Sequence, residues 1–444
     1  MRFDPLKGVP NKREVLAWGL YDLANQAFTL LIITLLFPIY FKKVVVPADP
    51  NAPGANAGDA LWGYAGAGSL AIVVLASPFV GALADQFGLK KRILLVTGVL
   101  CSALTVALAV LGPGDVTLAL ALFVVANICY QLGENTLAGF LPEIATQRNI
   151  GRVSAIGWTM GYVGALALLL LVVGLMFALG LKSESQWRPF FVLAGLWFAL
   201  GMIAPMLVLR ETRPASRPRI APGVVVARLV QTVRQASHYR QLARFLTAFF
   251  VYGLGVQTII YFAGIIARDF GLQDTQLVIF TLQITVTAGI SAVLTGIYQD
   301  RVGARNTVII FLGVWIGTAI GLLLLTLIPK DARESSQWLF WMVGNGVGLG
   351  LGGIGASSRA MVGRFTPRHK TAEFFGLWGM TYKSAGVVGV LSFGQVKQSL
   401  GDTASMVVLT LFFVVGLALV TRVRETGGVR AARRSERNEA EPAD

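Results

Sequence analysis

The chain has 444 residues, is 55% hydrophobic and only 14% charged, whereas soluble domains are nearer a quarter charged. A soluble enzyme is excluded, because its helices would be about half as long as the apolar stretches found here. The net charge of +15 first suggests nucleic acid or an anionic membrane, but the basic residues sit in connections between apolar stretches rather than along a face with interleaved aromatics. Nucleic acid is therefore excluded as a partner and the lipid bilayer is the expected surroundings.

The hydropathy pattern predicts twelve spanning helices, at roughly 15–41, 61–84, 92–112, 115–145, 153–180, 188–209, 242–267, 275–298, 306–328, 336–365, 372–397 and 402–421. The first stretch is too long for the apolar region of a cleaved signal peptide and lacks an A-x-A-like site after it, so it is read as a permanent span. An even number of spans puts both termini on one side. Lys and Arg concentrate in the segments on that side, which makes it the cytoplasm. An integral protein of the cell (inner) membrane is expected.

The organisation expected along the chain is a cytoplasmic N-terminus at 1–14, a six-helix bundle at 15–209, a cytoplasmic linker at 210–241, a second six-helix bundle at 242–421 and a disordered cytoplasmic tail at 422–444. The linker begins Pro- and Arg-rich, and its part from Val224 to Tyr239 has the spacing of an interfacial helix. Cys101 and Cys129 fall inside apolar stretches and read as packing residues. His238 and His369 fall in loops, and no metal-ligand spacing is present.

The two halves repeat one another. Gly81-Ala-Leu-Ala-Asp85-Gln-Phe-Gly88-Leu-Lys90 follows span 2, and Gly296-Ile-Tyr-Gln-Asp300-Arg-Val-Gly303-Ala-Arg305 follows span 8. Trp158-Thr-Met-Gly-Tyr162 in span 5 matches Trp378-Gly-Met-Thr-Tyr382 in span 11, and Tyr21-x-Leu23-x-x-Gln26 in span 1 matches Tyr252-x-Leu254-x-x-Gln257 in span 7. Matches in the same order on corresponding spans imply two homologous bundles related by a pseudo-two-fold axis along the membrane normal.

Six plus six spans, a basic middle connection and the repeated G-x-x-x-D-x-x-G-x-[KR] loop resemble the major facilitator superfamily of secondary transporters. Within it, the stretches Trp18–Phe28, Phe140–Ile144 leading to 154–162, and Ser358-Arg359 leading to 372–378 look like the unknown-major-facilitator family, related to the autophagy-linked vacuolar amino-acid effluxers. The loop departs from the usual pattern at Gln86 and Leu89, where basic residues are expected; its charge is deferred to Lys90, Lys91 and Arg92. The resemblance implies an all-α membrane protein of the major facilitator fold. It also implies a gating role for the loop residues Gly81, Asp85 and Gly88 and their counterparts Asp300, Gly303 and Arg305. Glu143 at the end of span 4 is expected to accept Arg92 in the same network.

Ionisable groups well inside spans are few: Asp22, Glu134, Arg359 and Lys383. Such groups are costly in hydrocarbon unless they face protein or water. Asp22, Asn25, Gln26 and Thr29 share one helical face, and Asn127, Gln131 and Glu134 form a stripe on span 4. Glu134 and Arg359 each lie eight residues before a proline, Pro142 and Pro367, and so at equivalent depth in the two halves. By the resemblance, spans 4 and 10 line the central cavity. Arg359 suits a carboxylate, and Asp22 or Glu134 suits an ammonium group or a coupling proton. Lys383 is read either as a cavity residue or as half of a structural pair. Tyr21, Tyr130, Trp158, Tyr162, Gln257 and Tyr261 are candidate neutral contacts. Lys397 and Glu373 lie near span ends, where snorkelling or loop contacts account for them.

Gly350-Leu-Gly352-Gly-Ile-Gly355 satisfies G-x-G-x-x-G, but it lies within a span with no strand before it, so close helix packing is expected rather than nucleotide binding. No catalytic set is present, so an enzyme is not expected, and no cofactor beyond a coupling proton is implied. The expectation is a monomeric secondary transporter working by alternating access on a small polar organic solute, with amino acids and export leading. Efflux of amphipathic drugs or lipids is the alternative transport reading. A non-transporting sensor or scaffold is the alternative from another class.

Overall fold

The computed structural model describes residues 11–47, 57–145, 150–181, 183–211, 239–329, 332, 335–367 and 371–440. Within these, the side chains of 82, 85, 86, 142, 150–152, 154, 155, 274, 296, 297, 300, 371–373 and 438–440 are not described. Asp85, Asp300 and Glu373, and most of the expected linker, including its interfacial helix and His238, therefore lie outside the described positions, as does His369.

The first half contains α1 (Lys12–Val45), α2 (Ala57–Phe87), α3 (Lys90–Ala107), α4 (Val116–Ile144), α5 (Ile150–Leu179) and α6 (Arg188–Val208). The second contains α7 (Arg240–Asp269), α8 (Asp274–Val302), α9 (Ala304–Thr326), α10 (Gln337–Phe365) and a long helix, Thr371–Val420. Gly401 interrupts that helix at φ 84, dividing it into α11 (371–400) and α12 (402–420). Eleven helices among the described residues are long and apolar enough to cross a membrane, and the break at Gly401 makes twelve spans of them. The start of α1 and the end of α12 lie at one end of the bundle, called here the terminal end; the opposite end is the far end.

Local geometry follows the residue types. Gly88 (φ 61) and Gly303 (φ 90) occupy matching turns between α2 and α3 and between α8 and α9. A side chain with a Cβ is strained at such angles. In α1 the helix widens into π turns over Phe28–Leu35 and again over Phe41–Val45. Glycines on two faces of α10 let it sit between α8 and α9. A Cβ added at Gly344, Gly348 or Gly352 would meet Phe280, Thr287 or Ala288 of α8; at Gly346, Gly350 or Gly353 it would meet Thr318, Trp315 or Phe311 of α9. This is the packing use of the glycine run. The first half also has an aromatic core at the far end, with Trp62 against Phe123 (4.3 Å between ring centroids) and Phe37 against Phe191 (5.5 Å).

One expectation is corrected and one alternative decided. The tail, read from composition as disordered, is helical over Glu425–Ala440, α13. It is amphipathic, and its small inner face packs on the bundle: Gly428 lies against the Phe365 ring, and the Tyr239 hydroxyl donates to Ser435 Oγ at 2.8 Å. Overall charge hid that face. For Lys397, snorkelling gives way to the other reading, contacts at the span ends: it is 1% exposed and ion-paired with Asp269 at 2.8 Å and with Asp402. Asp402 lies five residues on, at the start of α12, whereas Asp269 comes from the end of α7, far along the chain.

Candidate functional site

The intramembrane charges converge where the halves meet. Asp22 of α1 lies within electrostatic reach of Glu134 of α4 and Arg359 of α10, and Glu134 lies within reach of Lys383 of α11. Two acids from the first half thus face two cations from the second. Lys383 Nζ donates to the Gln131 carbonyl at 3.2 Å and to the Asn135 side chain, so an α11 cation is docked on α4. The Arg359 guanidinium stands 5.0 Å from the Trp158 ring centre and 5.8 Å from that of Trp378. Those indoles are the repeated tryptophans of α5 and α11, and their ring faces attract the cation.

The repeat is visible in packing as well as in sequence. Tyr252 of α7 hydrogen-bonds Ser358 of α10 at 2.8 Å. Its counterpart Tyr21 points its hydroxyl at Gly133 of α4, the position equivalent to Ser358. Each tyrosine therefore lies beside the charged residue of its own half, Arg359 or Glu134.

Exposure grades along the site. Asp22, Gln26, Gln131, Glu134, Tyr162, Arg359 and Lys383 are partly exposed, and Trp158 is 49% exposed. Toward the far end, Asn127, Tyr261 and Gln257 are buried. Asn127 Nδ2 donates to Ser69 Oγ at 2.7 Å and to the Tyr261 hydroxyl at 3.0 Å, which joins the two halves across a floor. Trp62 Nε1 adds a bond to the Tyr261 carbonyl at 2.7 Å. Gln257 Nε2 reaches the Tyr382 carbonyl at 3.4 Å. Buried, hydrogen-bonded residues thus close the site toward the far end, while the described charged residues on its other side are partly exposed. Asn25, on the same sequence face as Asp22, is fully buried and donates to Glu134, and Thr29 Oγ1 donates to the Tyr130 hydroxyl at 2.7 Å. That face of α1 is split, with Asn25 and Thr29 toward α4 and Asp22 and Gln26 toward Gly157 and Gly161 of α5.

At the terminal end, Glu143 is met by Lys90 at 2.7 Å, while Arg92, its expected partner, is exposed. The helical register of α3 turns the earlier cation toward α4. Sequence reading also missed the tripeptide Arg-Glu-Thr, which follows the last span of each half at 210–212 and at 424–426. Glu211 accepts the backbone N–H groups of Lys90 (2.6 Å) and Lys91 (3.2 Å) at the start of α3. Glu425 does the same for Ala304 (3.4 Å) and Arg305 (2.9 Å) at the start of α9, and also pairs with Arg364. Arg305 reaches back to the Thr421 carbonyl at 2.7 Å. Each glutamate satisfies orphan donors at a helix N-terminus and complements its dipole. Gly81 has open space where a Cβ would stand, so close packing does not require glycine there.

Known proteins agree with this architecture. A family model described as "Vacuole effluxer Atg22 like" matches residues 10–433. The chain is 27% identical over 426 residues to the uncharacterized MFS-type transporter YxiO of Bacillus subtilis (strain 168), covering 92% of this chain and 94% of that protein. It is 25% identical over 270 residues to autophagy-related protein 22-2 of Aspergillus clavatus, a match that takes in 56% of this chain and 44% of the fungal protein. Among solved structures, the crystal structure of a D-xylose-proton symporter aligns with a TM-score of 0.67 over 94% of this chain and 99% of that one, at 16% identity, a likeness of fold. With twelve spans in two repeated bundles and a family match over nearly its whole length, the chain is a transporter of the major facilitator type and belongs to the Atg22-like vacuole effluxer family.

Proposed function

We propose that the chain is a monomeric secondary transporter of the cell membrane, with cytoplasmic termini, that exports small zwitterionic solutes, amino acids first, by proton-linked alternating access. The observation that carries this reading is the pairing of partly exposed charges of both signs in one cleft, Asp22 and Glu134 against Arg359 and Lys383. A solute carboxylate meets Arg359, which the faces of two indoles hold in place. The solute ammonium meets Asp22. Glu134, held by Asn25 and facing Lys383, carries the coupling proton: protonating it cancels its attraction for Lys383 and loosens that tie between the halves.

The test is charge movement in proteoliposomes on a supported membrane, across an amino-acid panel at two pH values, with Glu134→Gln and Arg359→Ala. The expected result is a substrate- and pH-dependent current lost in both variants. No current and no thermal-shift binding with any panel member would overturn the amino-acid assignment. Amphipathic substrates are the next panel.

A further inference from the structure

The far end holds a second group of charges, outside the cleft and on both halves. Lys42 ends α1, Asp59 starts α2, Asp269 ends α7, Lys397 lies near the end of α11 and Asp402 starts α12. Asp59 is 0% exposed. Lys42 Nζ stands 3.1 Å from Asp59 within its own half and 3.0 Å from Asp269 across the interface. Lys397 Nζ stands 2.8 Å from Asp269 and beside Asp402 within its own half, and 3.9 Å from Asp59 across the interface. Arg268 of α7 adds a third cross-half pair, with Glu184 of the α5–α6 connection.

The bonds sort into two kinds. Lys42–Asp269, Lys397–Asp59 and Arg268–Glu184 exist only while the halves touch at this end. Lys42–Asp59, Lys397–Asp269 and Lys397–Asp402 survive if the halves part. Breaking a buried ion pair is costly chiefly because it leaves a charge without a partner. Here each lysine keeps a carboxylate of its own half after separation, and Arg268 keeps its bond to the Leu272 carbonyl at 3.1 Å. The arrangement attracts across the interface yet strands neither lysine when the interface opens. The backbone around it is built for contact: an added Cβ would lie 3.1 Å from the Val390 carbonyl at Gly63 and 2.5 Å from the Thr34 carbonyl at Gly264.

We infer that Lys42, Asp59, Asp269 and Lys397 form a releasable ionic latch that gates the far end of the cleft, with lysines exchanging cross-half for own-half partners as it opens. The inference rests on the alternating-access reading, and its test needs no substrate, so a wrong substrate assignment leaves it intact. Spin labels are placed at the exposed positions Lys43 and Gln398 of the full chain, in a Cys101→Ala/Cys129→Ala background, in lipid nanodiscs. Their distance distribution is measured by pulsed electron paramagnetic resonance. Asp269→Asn and Lys42→Met are expected to raise the population with a longer distance by about tenfold. Asp402→Asn, which removes only an own-half partner, leaves the distribution as it was. The double variant Lys42→Met/Asp59→Asn preserves the net charge of the cluster and removes two cross-half pairs; it gives the same opening and serves if Asp269→Asn does not fold. Unchanged distributions in the latch variants, or an equal shift in Asp402→Asn, would overturn the latch.

Discussion

Glu211 offers the most local prediction. Its carboxylate accepts two backbone N–H groups of α3, from Lys90 at 2.6 Å and Lys91 at 3.2 Å. Those donors have no partner within the helix. Replacing a side chain that caps them with alanine costs about 1 kcal/mol, and losing a negative charge at the helix N-terminus costs about 0.5 kcal/mol more. Together, Glu211→Ala should cost about 1.5 kcal/mol, roughly a tenfold rise in opening of the first turn of α3. Glu211→Gln keeps an acceptor for one of the two N–H groups but loses the charge and the second bond, so it should cost less than Glu211→Ala without being neutral. The assay is hydrogen exchange in nanodiscs followed by mass spectrometry, reading peptides that include Lys90 and Lys91. Unaltered exchange at the start of α3 in Glu211→Ala would refute the capping role. Glu425→Gln, by contrast, also takes the ionic partner from Arg364, so it should lose more protection at the start of α9 than Glu211→Gln does at α3.

Three further predictions concern packing and charge. Lys383→Met leaves Glu134 without its facing cation and should lower thermal stability by about 3 kcal/mol, whereas adding Glu134→Gln should recover most of it; thermal melts of the single and double variants in detergent measure the coupling, and additive effects would count against the pair. Gly352→Ala drives a Cβ to 2.0 Å from the Ala288 carbonyl and should cost about 1–3 kcal/mol, while Gly355→Ala, with open space around it, should be neutral or slightly stabilising; equal melting temperatures for the two would contradict the packing. Trp158→Ala removes a half-exposed indole from Arg359, so solute affinity should fall by about fivefold with little change in melting; isothermal titration against the solute identified by the transport panel reads this, and unchanged affinity would remove Trp158 from the site.

Membrane class, twelve spans and two repeated halves were legible in the residues, because a bilayer imposes a length and a hydropathy that each segment must meet on its own. The equivalent depths of Glu134 and Arg359 could likewise be read by counting from Pro142 and Pro367. The Arg-Glu-Thr repeat was present in the sequence too, yet its purpose depends on bringing Glu211 to Lys90 and Glu425 to Arg305, far along the chain. Only tertiary structure decided which charges meet. Helix register turned Lys90 rather than Arg92 toward Glu143, split the polar face of α1 between α4 and α5, and brought Lys397 to acids on neighbouring elements. Hydropathy acts segment by segment and can be read locally, whereas electrostatic pairing depends on distances that exist only after the segments have packed.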